Sequence, residues 1–423
     1  MRILILNQCF YPDVVAVAQH LTEFAVEVKR RGHEVTVVAS QRGYDDPGVE
    51  FPKREIWNGI RIIRLPTTAL GKRAKWRRAV DFGSFIFSAA VRLLLLPRYD
   101  VVVALTAPPL ISFLATVFVQ LKGGRLLYWI MDLNPDEAIA AGWLRPGSAG
   151  ARTFAAMLHH SLKRADKIVV LDRFMKRRIV GKGIAENKIE VVPPWSHDDA
   201  VRFDAGGRRE FRRAYGLTDK FVVMYSGNHS PCHPLDTMLE AARRLAGRDR
   251  RLAFCFVGGG SEFKKVQSFA HEHELKNIVC LPYQPLERLA ASLSAADMHV
   301  VVMGDEFAGI VHPCKIYNIL AVGAPFLYVG PEESHVVDIL SQLDGGGHRA
   351  RRARHGDVDS VIDHILGTAR GGAPTRTAED GRRFAARFSK HALLPKMIGV
   401  LESMTFEASA RRTDTPRSSA RTV

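Results

Sequence analysis

Short apolar runs alternate with helical patterns along the first half of the chain. Residues 2–7 form an apolar run, and after a polar loop Val17 and Leu21 begin a helical repeat that ends at Gly32. Further apolar runs, with helical patterns between most of them, follow at 34–40, 60–65, 100–105, 125–130, 167–171 and 189–192. Strands that alternate with helices predict a parallel sheet covered by helices on both faces.

The same alternation starts again in the second half. The strand candidates there are 221–226, 252–257, 278–281, 298–303 and 326–329. Two consecutive Rossmann-like domains are therefore the predicted α/β architecture. The predicted boundaries are 1–194 for the first domain, 195–207 for a linker, 208–388 for the second domain, 389–404 for a C-terminal helix able to pack back on the first domain, and 405–423 for a disordered tail.

Residues 101–121 carry no formal charge and are numerous enough to cross a bilayer. However, the pair Pro108-Pro109 divides this stretch into two shorter apolar segments. Because proline interrupts a helix, the pattern favours a buried strand followed by a core helix over a transmembrane span. The apolar residues 3–6 are too few for the core of a signal peptide.

Composition narrows the class of partner. Lys and Arg number 60 against 44 Asp and Glu, which gives a formal net charge of +16 and favours an anionic partner. The five cysteines are scattered without a Cys-x-x-Cys pair, which argues against a disulfide framework or a zinc site and suits the reducing cytosol. Nucleic acid is disfavoured, because basic and aromatic residues are interleaved in one cluster alone.

Three segments of the second half follow predicted strands and could bind an anion, since ligands of open parallel sheets bind outside the carboxyl ends of the strands. The segment 226–234 has a glycine after the strand and then a helix start, where backbone N–H groups attract anions. The segment 258–260 is a run of glycines, for which a plain tight turn is an equal interpretation. The segment 306–318 has an acid, a turn glycine and Lys315, which we expect to contact phosphate.

Six motifs in a fixed order resemble one enzyme family. They are MRILILNQCFYPD…RGHEVTVVAS at 1–40, DLNPDEAIAAG at 132–142, IEVVPPWS at 189–196, YSGNHSPCHPLDTMLEAA at 225–242, FVGGGSE at 256–262 and GIVHPCKIYNILAVGAPFLYVGPEES at 309–334. Over about residues 1–345 the chain resembles the retaining glycosyltransferases of family 4. It is most similar to the branch that builds bacterial O-antigen, capsule and colanic-acid-type polysaccharides, including N-acetylfucosaminyl transferases. The resemblance implies the GT-B fold, in which two Rossmann-like domains face each other across a cleft.

The resemblance also implies a donor-binding set in the second domain. Glu306 corresponds to the family's first acid, which binds the donor sugar, and Asn318 stands at the place of the second acid, which binds the donor ribose. An amide can accept a ribose hydroxyl but carries no charge. Tyr283 either packs near the nucleobase or is a core tyrosine, and His233 either contacts the diphosphate or caps a helix. The full donor set is Gly227, Asn228, His233, Tyr283, Gly309, Ile310, Val311, Lys315 and Asn318.

Asp132 is the predicted catalytic residue of the first domain, and Glu306 is the predicted catalytic residue of the second. It follows an apolar strand, and its carboxylate would orient and partly deprotonate the attacking hydroxyl. Capping of the next helix is a compatible alternative. No metal or other cofactor is expected, because the one Asp-x-Asp, Asp357-Val358-Asp359, is interpreted as a helix cap. GT-B enzymes, by resemblance, neutralise the leaving diphosphate with basic and dipolar groups instead.

A basic, tryptophan-bearing segment precedes a strongly apolar helical pattern. The predicted membrane-contact residues are Lys72, Arg73, Lys75, Trp76, Arg77 and Arg78. After them one apolar helix face consists of Phe82, Phe85, Ile86, Ala89 and Leu93, and a second of Phe87, Val91 and Leu94. If the first face packs on the sheet, the second remains exposed for an anionic membrane surface. The alternative is a fully buried helix with a solvated basic loop.

The predicted function is transfer of a sugar from a nucleotide sugar, preferably a UDP-sugar, to a hydroxyl of a lipid-linked saccharide, with retention of the anomeric configuration. The protein is expected in the cytoplasm, peripherally associated with the inner face of the plasma membrane. Two alternatives stay open. One is a sugar-nucleotide epimerase of the same fold, and the other is a catalytically silent scaffold. The second stays open because, by resemblance, Asn228 and His233 stand where the family often has Arg and Lys, and Asn318 stands where it has an acid.

Overall fold

Two mostly parallel sheets, one in each half of the chain, form the framework of the protein. The computed structural model describes residues 1–44, 46–71, 75–196, 201–343, 351–371 and 384–413. The chain divides into a first unit, Met1–Val192 together with the chain from Leu394 onward, and a second unit, Pro193–Leu393. The division at Val192 compares with a predicted boundary at residue 194. The predicted α/β architecture of two Rossmann-like units is confirmed.

The sheet of the first unit is eight-stranded. In chain order its strands are β1 (Arg2–Leu6), β2 (Glu34–Ser40), β3 (Arg54–Trp57), β4 (Ile60–Leu65), β5 (Val101–Ala104), β6 (Arg125–Trp129), β7 (Lys167–Val170) and β8 (Ile189–Val191). Their order across the sheet is β3-β4-β2-β1-β5-β6-β7-β8, with β3 antiparallel to β4. The central strands β1, β2 and β5 are buried along almost their whole length, because helices cover both faces of such a sheet.

The edge strand β3 is not predicted by the hydrophobic pattern, because its four residues are two charged ones followed by two apolar ones and show no alternation. It forms a hairpin with β4 through Asn58 and Gly59, whose φ angles are 49° and 72°. Positive φ at both turn residues is characteristic of a type I′ turn, which the Asn-Gly pair favours. The turn therefore carries the hairpin signal that the strand itself lacks.

Helices connect the strands of the first unit. They are α1 (Ala16–Arg30), α2 (Lys75–Leu94), α3 (Ile111–Lys122), α4 (Asp136–Ala140), α5 (Ala149–Arg164) and α6 (Arg173–Gly181). On α2, Phe85, Ala89 and Leu93 are buried, while Phe87 and Leu94 are exposed. This helix therefore has one packed apolar face and one exposed apolar face, as the sequence predicts.

The second unit contains a six-stranded parallel sheet in the order β11-β10-β9-β12-β13-β14. Its strands are β9 (Phe221–Asn228), β10 (Leu252–Gly259), β11 (Ile278–Leu281), β12 (Met298–Val302), β13 (Phe326–Val329) and β14 (Arg351–Ala353). Its helices are α7 (Ala205–Ala214), α8 (Asp236–Leu245), α9 (Phe263–Glu272), α10 (Leu286–Ser294), α11 (Lys315–Ala321), α12 (His335–Leu343) and α13 (Val358–Arg370). Asp357 caps α13 by accepting the N–H of Ser360 at 3.1 Å, which confirms the helix-cap interpretation of the Asp-x-Asp.

The C-terminal helix is α14 (Lys390–Thr413). From Leu394 onward it belongs to the first unit and packs on it. Ile398 and Leu401 are fully buried, and the carboxylate of Glu402 accepts a hydrogen bond of 3.0 Å from the Arg31 guanidinium. The helix continues to Thr413, so the prediction of a disordered tail from residue 405 is wrong for 405–413. Ala, Glu and Arg in this segment are strong helix formers and extend the helix. Residues 414–423 lie outside the described residues.

The uncharged stretch 101–121 forms β5 and most of α3, which confirms its interpretation as a strand followed by a core helix. All four residues of β5 are buried. Within the described parts of the chain, none of the helices is both long and apolar enough to cross a membrane.

A buried ion network joins α7 to the sheet of the second unit. The Asp297 carboxylate accepts hydrogen bonds from the guanidinium groups of Arg208, at 2.5 Å, and Arg212. It also accepts the backbone N–H of Val222, the second residue of β9, at 2.7 Å. A buried carboxylate destabilises the fold unless its charge and lone pairs are satisfied. The three donors satisfy Asp297, so removing any of these partners should lower the stability of the second unit.

We expect Asp297→Ala to lower the free energy of unfolding of the second unit by about 3–5 kcal/mol, because it leaves two arginines without their anion. Urea denaturation followed by circular dichroism measures this loss. The matched control is Asp359→Ala, which breaks an exposed ion pair with Arg244 and should cost less than about 1 kcal/mol. Equal losses in the two variants would contradict a structural role for the Asp297 network.

Candidate active site

Two glycine loops lie side by side at the carboxyl ends of β9 and β10. Gly258 pairs with Gly227 in the parallel register, and their φ angles are 136° and 138°. A Cβ on Gly258 would overlap the carbonyl oxygen of Gly227, and a Cβ on Gly260 would overlap that of His229. The glycine run 258–260 is therefore more than a tight turn, since it lets two backbones approach each other at the edge of the sheet where ligands bind.

His229 connects these loops, and the sequence analysis assigns it no role. Its ring is fully buried, and Nδ1 donates to the carbonyl oxygen of Gly227 at 3.0 Å. Its backbone N–H donates to Gly259 at 2.8 Å, and its carbonyl oxygen accepts the N–H of Glu262 at 3.0 Å. Burial, together with the nearby Lys315, lowers the pKa of His229 to about 4. The ring is neutral at pH 7, and its one proton holds the Gly227 peptide in place.

Lys315, the first residue of α11, has an ammonium group that is shielded from water without a hydrogen-bond partner among the described residues. Its Nζ lies 3.7 Å from the centroid of the Tyr225 ring. Burial lowers the pKa of Lys315 to about 7. This cation lies on an aromatic ring beside Gly227 without a hydrogen-bonded anion among the described residues, so a bound anionic ligand would compensate its charge.

His233 lies close enough to this lysine for the charge to affect its pKa, and its side chain is half-buried. Its Nδ1 donates to the carbonyl oxygen of Val302, at the end of β12, at 2.7 Å. Burial, Lys315 and His229 all lower its pKa well below the usual value. Helix α8 begins only at Asp236 and has no side-chain cap, so the helix-cap alternative for His233 is wrong. The neutral ring instead ties the loop after β9 to the end of the adjacent strand.

Two further predicted donor residues lie at the same loops. Asn228 is exposed, and its carbonyl oxygen accepts the Tyr225 hydroxyl at 2.7 Å. The Tyr283 hydroxyl donates to Gly259 at 3.3 Å, and its ring covers that glycine. Because the Tyr283 side chain is half-exposed, at 50%, the core alternative for this residue is wrong. Its ring offers a flat apolar surface beside the glycine loops.

The segment before α11 is closely folded on itself. Gly309 has a φ of 68°, a conformation that favours glycine. Ile310 and Val311 are buried, and their N–H groups donate to the carbonyl oxygen of Phe307 at 2.9 and 3.2 Å. These N–H groups are therefore engaged within the loop. Asn318 is half-buried on α11, three residues after Lys315.

Glu306 lies at a cavity next to the loop after β9 and is not among the residues around Lys315. It belongs to a short 3₁₀ helix, Asp305–Phe307, and its side chain is exposed. It borders a cavity of about 500 Å³ that Pro234, Thr237 and His355 also line. Neither Lys315 nor Gly227 is among the residues that line this cavity. The structure thus brings Lys315, His233, Gly227, Asn228 and Tyr283 together and places Glu306 at a neighbouring cavity.

Asp132, in the first unit, follows β6 and is half-buried. Burial and the neighbouring carboxylate of Glu137 raise the pKa of Asp132 to about 8. Glu137 is itself held by the Asn134 amide, whose Nδ2 donates to Oε2 at 2.8 Å. Helix α4 has no side-chain cap at its start, so the capping alternative for Asp132 is wrong. A carboxylate with so high a pKa is a stronger base than an ordinary aspartate.

Of the predicted membrane-contact residues, Lys72 and Arg73 and the side chain of Lys75 lie outside the description. Trp76 is 61% exposed, and the Arg77 guanidinium lies 5.4 Å from the centroid of its ring. Arg78 points elsewhere. Its guanidinium contacts the Tyr44 hydroxyl at 3.3 Å and lies over the rings of Phe82 and Trp143.

Lys315→Met should make the protein more stable at pH 6, and this gain should shrink as the pH rises from about 7 to about 10. The reason is that the folded-state pKa is about 7 and the unfolded-state value is 10.5, so the unfolded chain binds more protons in that window and the stability of the original protein rises there. Urea unfolding at several pH values measures the difference. The control is the exposed Lys265→Met, and a pH-independent effect of Lys315→Met would contradict a buried uncompensated charge.

Comparison with known proteins identifies the family. Residues 16–195 match the family model described as a glycosyl transferase 4-like domain, and residues 207–327 match the model described as glycosyl transferases group 1. Over 342 residues the chain is 28% identical to the colanic acid biosynthesis glycosyl transferase WcaI of Escherichia coli K12, with 76% of this chain and 82% of that protein covered. It is 25% identical to the glycosyltransferase WbjE of Pseudomonas aeruginosa over 61% of this chain and 64% of that protein.

Solved structures agree on the fold. The crystal structure of Alr3699/HepE from Anabaena in complex with UDP matches with a TM-score of 0.69 at 13% identity, covering 95% of this chain and 100% of that one. The two family models follow each other in chain order, one in each parallel-sheet unit. The chain therefore belongs to the glycosyltransferases of the GT-B fold.

Proposed function

We propose that the protein transfers a sugar from a nucleotide sugar to a hydroxyl of a lipid-linked saccharide during synthesis of a cell-surface polysaccharide. The observation that carries this proposal is the buried Lys315 cation, which lacks an anion among the described residues and lies beside the paired glycine loops. A diphosphate supplies the missing charge. The name of WcaI supports the polysaccharide context, and the resemblance to family 4, with its branch of O-antigen, capsule and N-acetylfucosaminyl transferases, supports retention of the anomeric configuration.

On the donor side, Lys315 would bind the diphosphate and stabilise it as it leaves. His229 would keep the Gly227 peptide in position, and the ring of Tyr283 would pack against the base. The UDP in the structure of Alr3699/HepE supports a uridine nucleotide. We propose that no metal takes part, because Lys315 can neutralise the leaving group itself.

On the acceptor side, Asp132 would accept a hydrogen bond from the attacking hydroxyl and then its proton. This role needs the carboxylate form, and the pKa of about 8 means that a rise in pH increases the fraction of ionised Asp132. Glu137 would assist, because its negative charge keeps the proton affinity of Asp132 high. The first unit would thus supply the base and the second unit the anion site.

Substitutions in the two units should separate donor binding from transfer. We expect Lys315→Ala to weaken UDP binding and lower turnover at least about tenfold, because a charge in a dry site is worth roughly 2–4 kcal/mol.

Asp132→Asn should abolish transfer and leave UDP affinity unchanged. Glu306→Gln should lower turnover at least about tenfold with UDP affinity unchanged. Calorimetry and a transfer assay in excess EDTA make these measurements.

The same assay tests the alternatives. Loss of UDP affinity in Asp132→Asn would contradict its acceptor role, and loss of activity in EDTA with recovery on adding Mg²⁺ would contradict metal independence. Conversion of a UDP-sugar in the absence of any acceptor would indicate an epimerase. Unchanged activity in both Lys315→Ala and Glu306→Gln would refute the donor-site assignment.

We further propose that α2 lies at the inner surface of the plasma membrane, where a lipid-linked acceptor must be reached from the cytoplasm. Side chains on one face of this helix are solvent-exposed and apolar: Trp76, Val80, Phe87, Val91 and Leu94. With about 100° per residue, positions 75 and 77 flank this stripe on either side and carry cations. An apolar stripe bordered by cations is typical of an interfacial helix on anionic lipids.

The wild type should float with vesicles containing anionic lipid at low salt and be released at high salt, since each cation near the surface contributes about 1 kcal/mol. Phe87→Ser with Leu94→Ser should weaken flotation at every salt concentration. A second variant should remove the salt-dependent part by placing Glu at Lys72, Arg73, Lys75 and Arg77. The control is Ile56→Ser, which removes an equally exposed apolar residue from β3. Equal flotation of all four proteins would end the proposal.

A further inference from the structure

Arg78 lies on the packed side of α2, although it belongs to the basic run before the apolar stripe. At about 100° per residue, it is roughly 200° around the helix from Trp76. It therefore shares the face of Phe82, Phe85 and Ala89, of which the last two are buried. A side chain in this direction does not project from the stripe toward lipid. The fold turns one arginine of the cluster inward.

The Arg78 guanidinium is held in a fixed place without an anionic partner among the residues that the structure describes. It lies 5.2 Å from the ring centroid of Phe82 and 5.9 Å from that of Trp143, and it donates to the Tyr44 hydroxyl at 3.3 Å. Aromatic rings on a guanidinium restrict its orientation and leave its N–H edge for hydrogen bonds. The arrangement is preorganised for bidentate binding of a phosphate or carboxylate.

This arginine also lies near helix α4, which follows the proposed base: the N–H of Trp143, whose ring lies beside Arg78, donates to the carbonyl oxygen of Ala138 at 2.8 Å. The Tyr44 hydroxyl accepts the hydrogen bond of Arg78. Burial raises the pKa of this hydroxyl, the charge of Arg78 lowers it, and the charge of Glu137 raises it. Glu137 in turn acts on Asp132. Tyr44 follows β2 and Asp132 follows β6, so both lie at the carboxyl edge of one sheet, and the start of α2 brings Arg78 to them. An acidic pair and an arginine thus lie at the same edge of the sheet in the first unit.

We propose that Arg78 binds an anionic group of the acceptor next to its reacting sugar, either the diphosphate that joins sugar to lipid or a carboxylate on the sugar. The inference rests on the proposed acceptor role of the first unit. A sugar bound with its anion on Arg78 and its hydroxyl toward Asp132 would be oriented at both ends, since the acidic pair repels the anion and attracts the hydroxyl. Arg78 is then an acceptor-binding residue rather than a membrane contact.

The test is binding of farnesyl diphosphate and of octyl glucuronide to the full chain carrying Lys315→Ala, which removes the phosphate site of the second unit. Farnesol and octyl glucoside are the uncharged counterparts. Adding Arg78→Gln should weaken one of the two anions at least about tenfold and leave the uncharged probes unchanged, as expected for a charged hydrogen bond. The matched control is Arg61→Gln, the same change at an exposed arginine of β4 that belongs neither to α2 nor to the proposed acceptor site.

Selective loss of farnesyl diphosphate would assign the site to the diphosphate linkage, and selective loss of octyl glucuronide to a sugar carboxylate. Arg78→Lys should recover part of the binding, which a purely structural role would not produce. Equal affinity of the Arg78→Gln and Arg61→Gln proteins for both anions would overturn the inference. Failure of the proposed transferase function would appear differently, as absent sugar transfer with Arg78-dependent anion binding intact.

Discussion

The cost of burying a charge governs the arrangement of this protein, and the same cost is met in two ways. Asp297 is compensated within the fold by two arginines and a backbone N–H. Lys315 has a ring face and no anion among the described residues. Since an uncompensated buried charge destabilises a protein, the Asp297 network is explained by stability and Lys315 only by a ligand. The contrast between the two distinguishes framework from site without reference to any relative.

The anion site depends equally on the absence of side chains. Gly227 and Gly258 approach so closely that a Cβ on the second would overlap the first, and Lys315 lies against the first. His229 then fixes the peptide of Gly227 with a single proton, which it keeps because burial lowers the pKa of the ring to about 4. A charged histidine in this place would add a second uncompensated cation beside the lysine. The neutral ring gives rigidity without changing the charge that the diphosphate meets.

Much of the fold could be predicted from the sequence, because apolar runs of the central strands have no other location than a sheet covered on both faces. β3 and β14 were beyond this pattern, since they lie at sheet edges and contain arginines, although the turn at Asn58 signals the first of them. Lys315 could be found from its motif, whereas the ring beneath it at Tyr225 lies ninety residues earlier and becomes its neighbour only through the sheet order. Glu137 follows Asp132 closely in the sequence, but the sequence does not show that its charge raises the pKa of Asp132. That effect depends on how the intervening loop folds and on how far the two carboxylates are removed from water.

Arg78 shows how a local pattern can mislead when charge is considered without direction. Counted with its neighbours it is one of a basic run, but the rotation of about 100° per residue separates it from Trp76. A helix of 20 residues is about 30 Å long, and the exposed stripe runs along nearly all of it. If that stripe rests on lipid, the opposite face is held at a constant height above the membrane, and Arg78 is held with it. One helix would then determine both where the enzyme meets the bilayer and how far from the bilayer a bound acceptor places its hydroxyl.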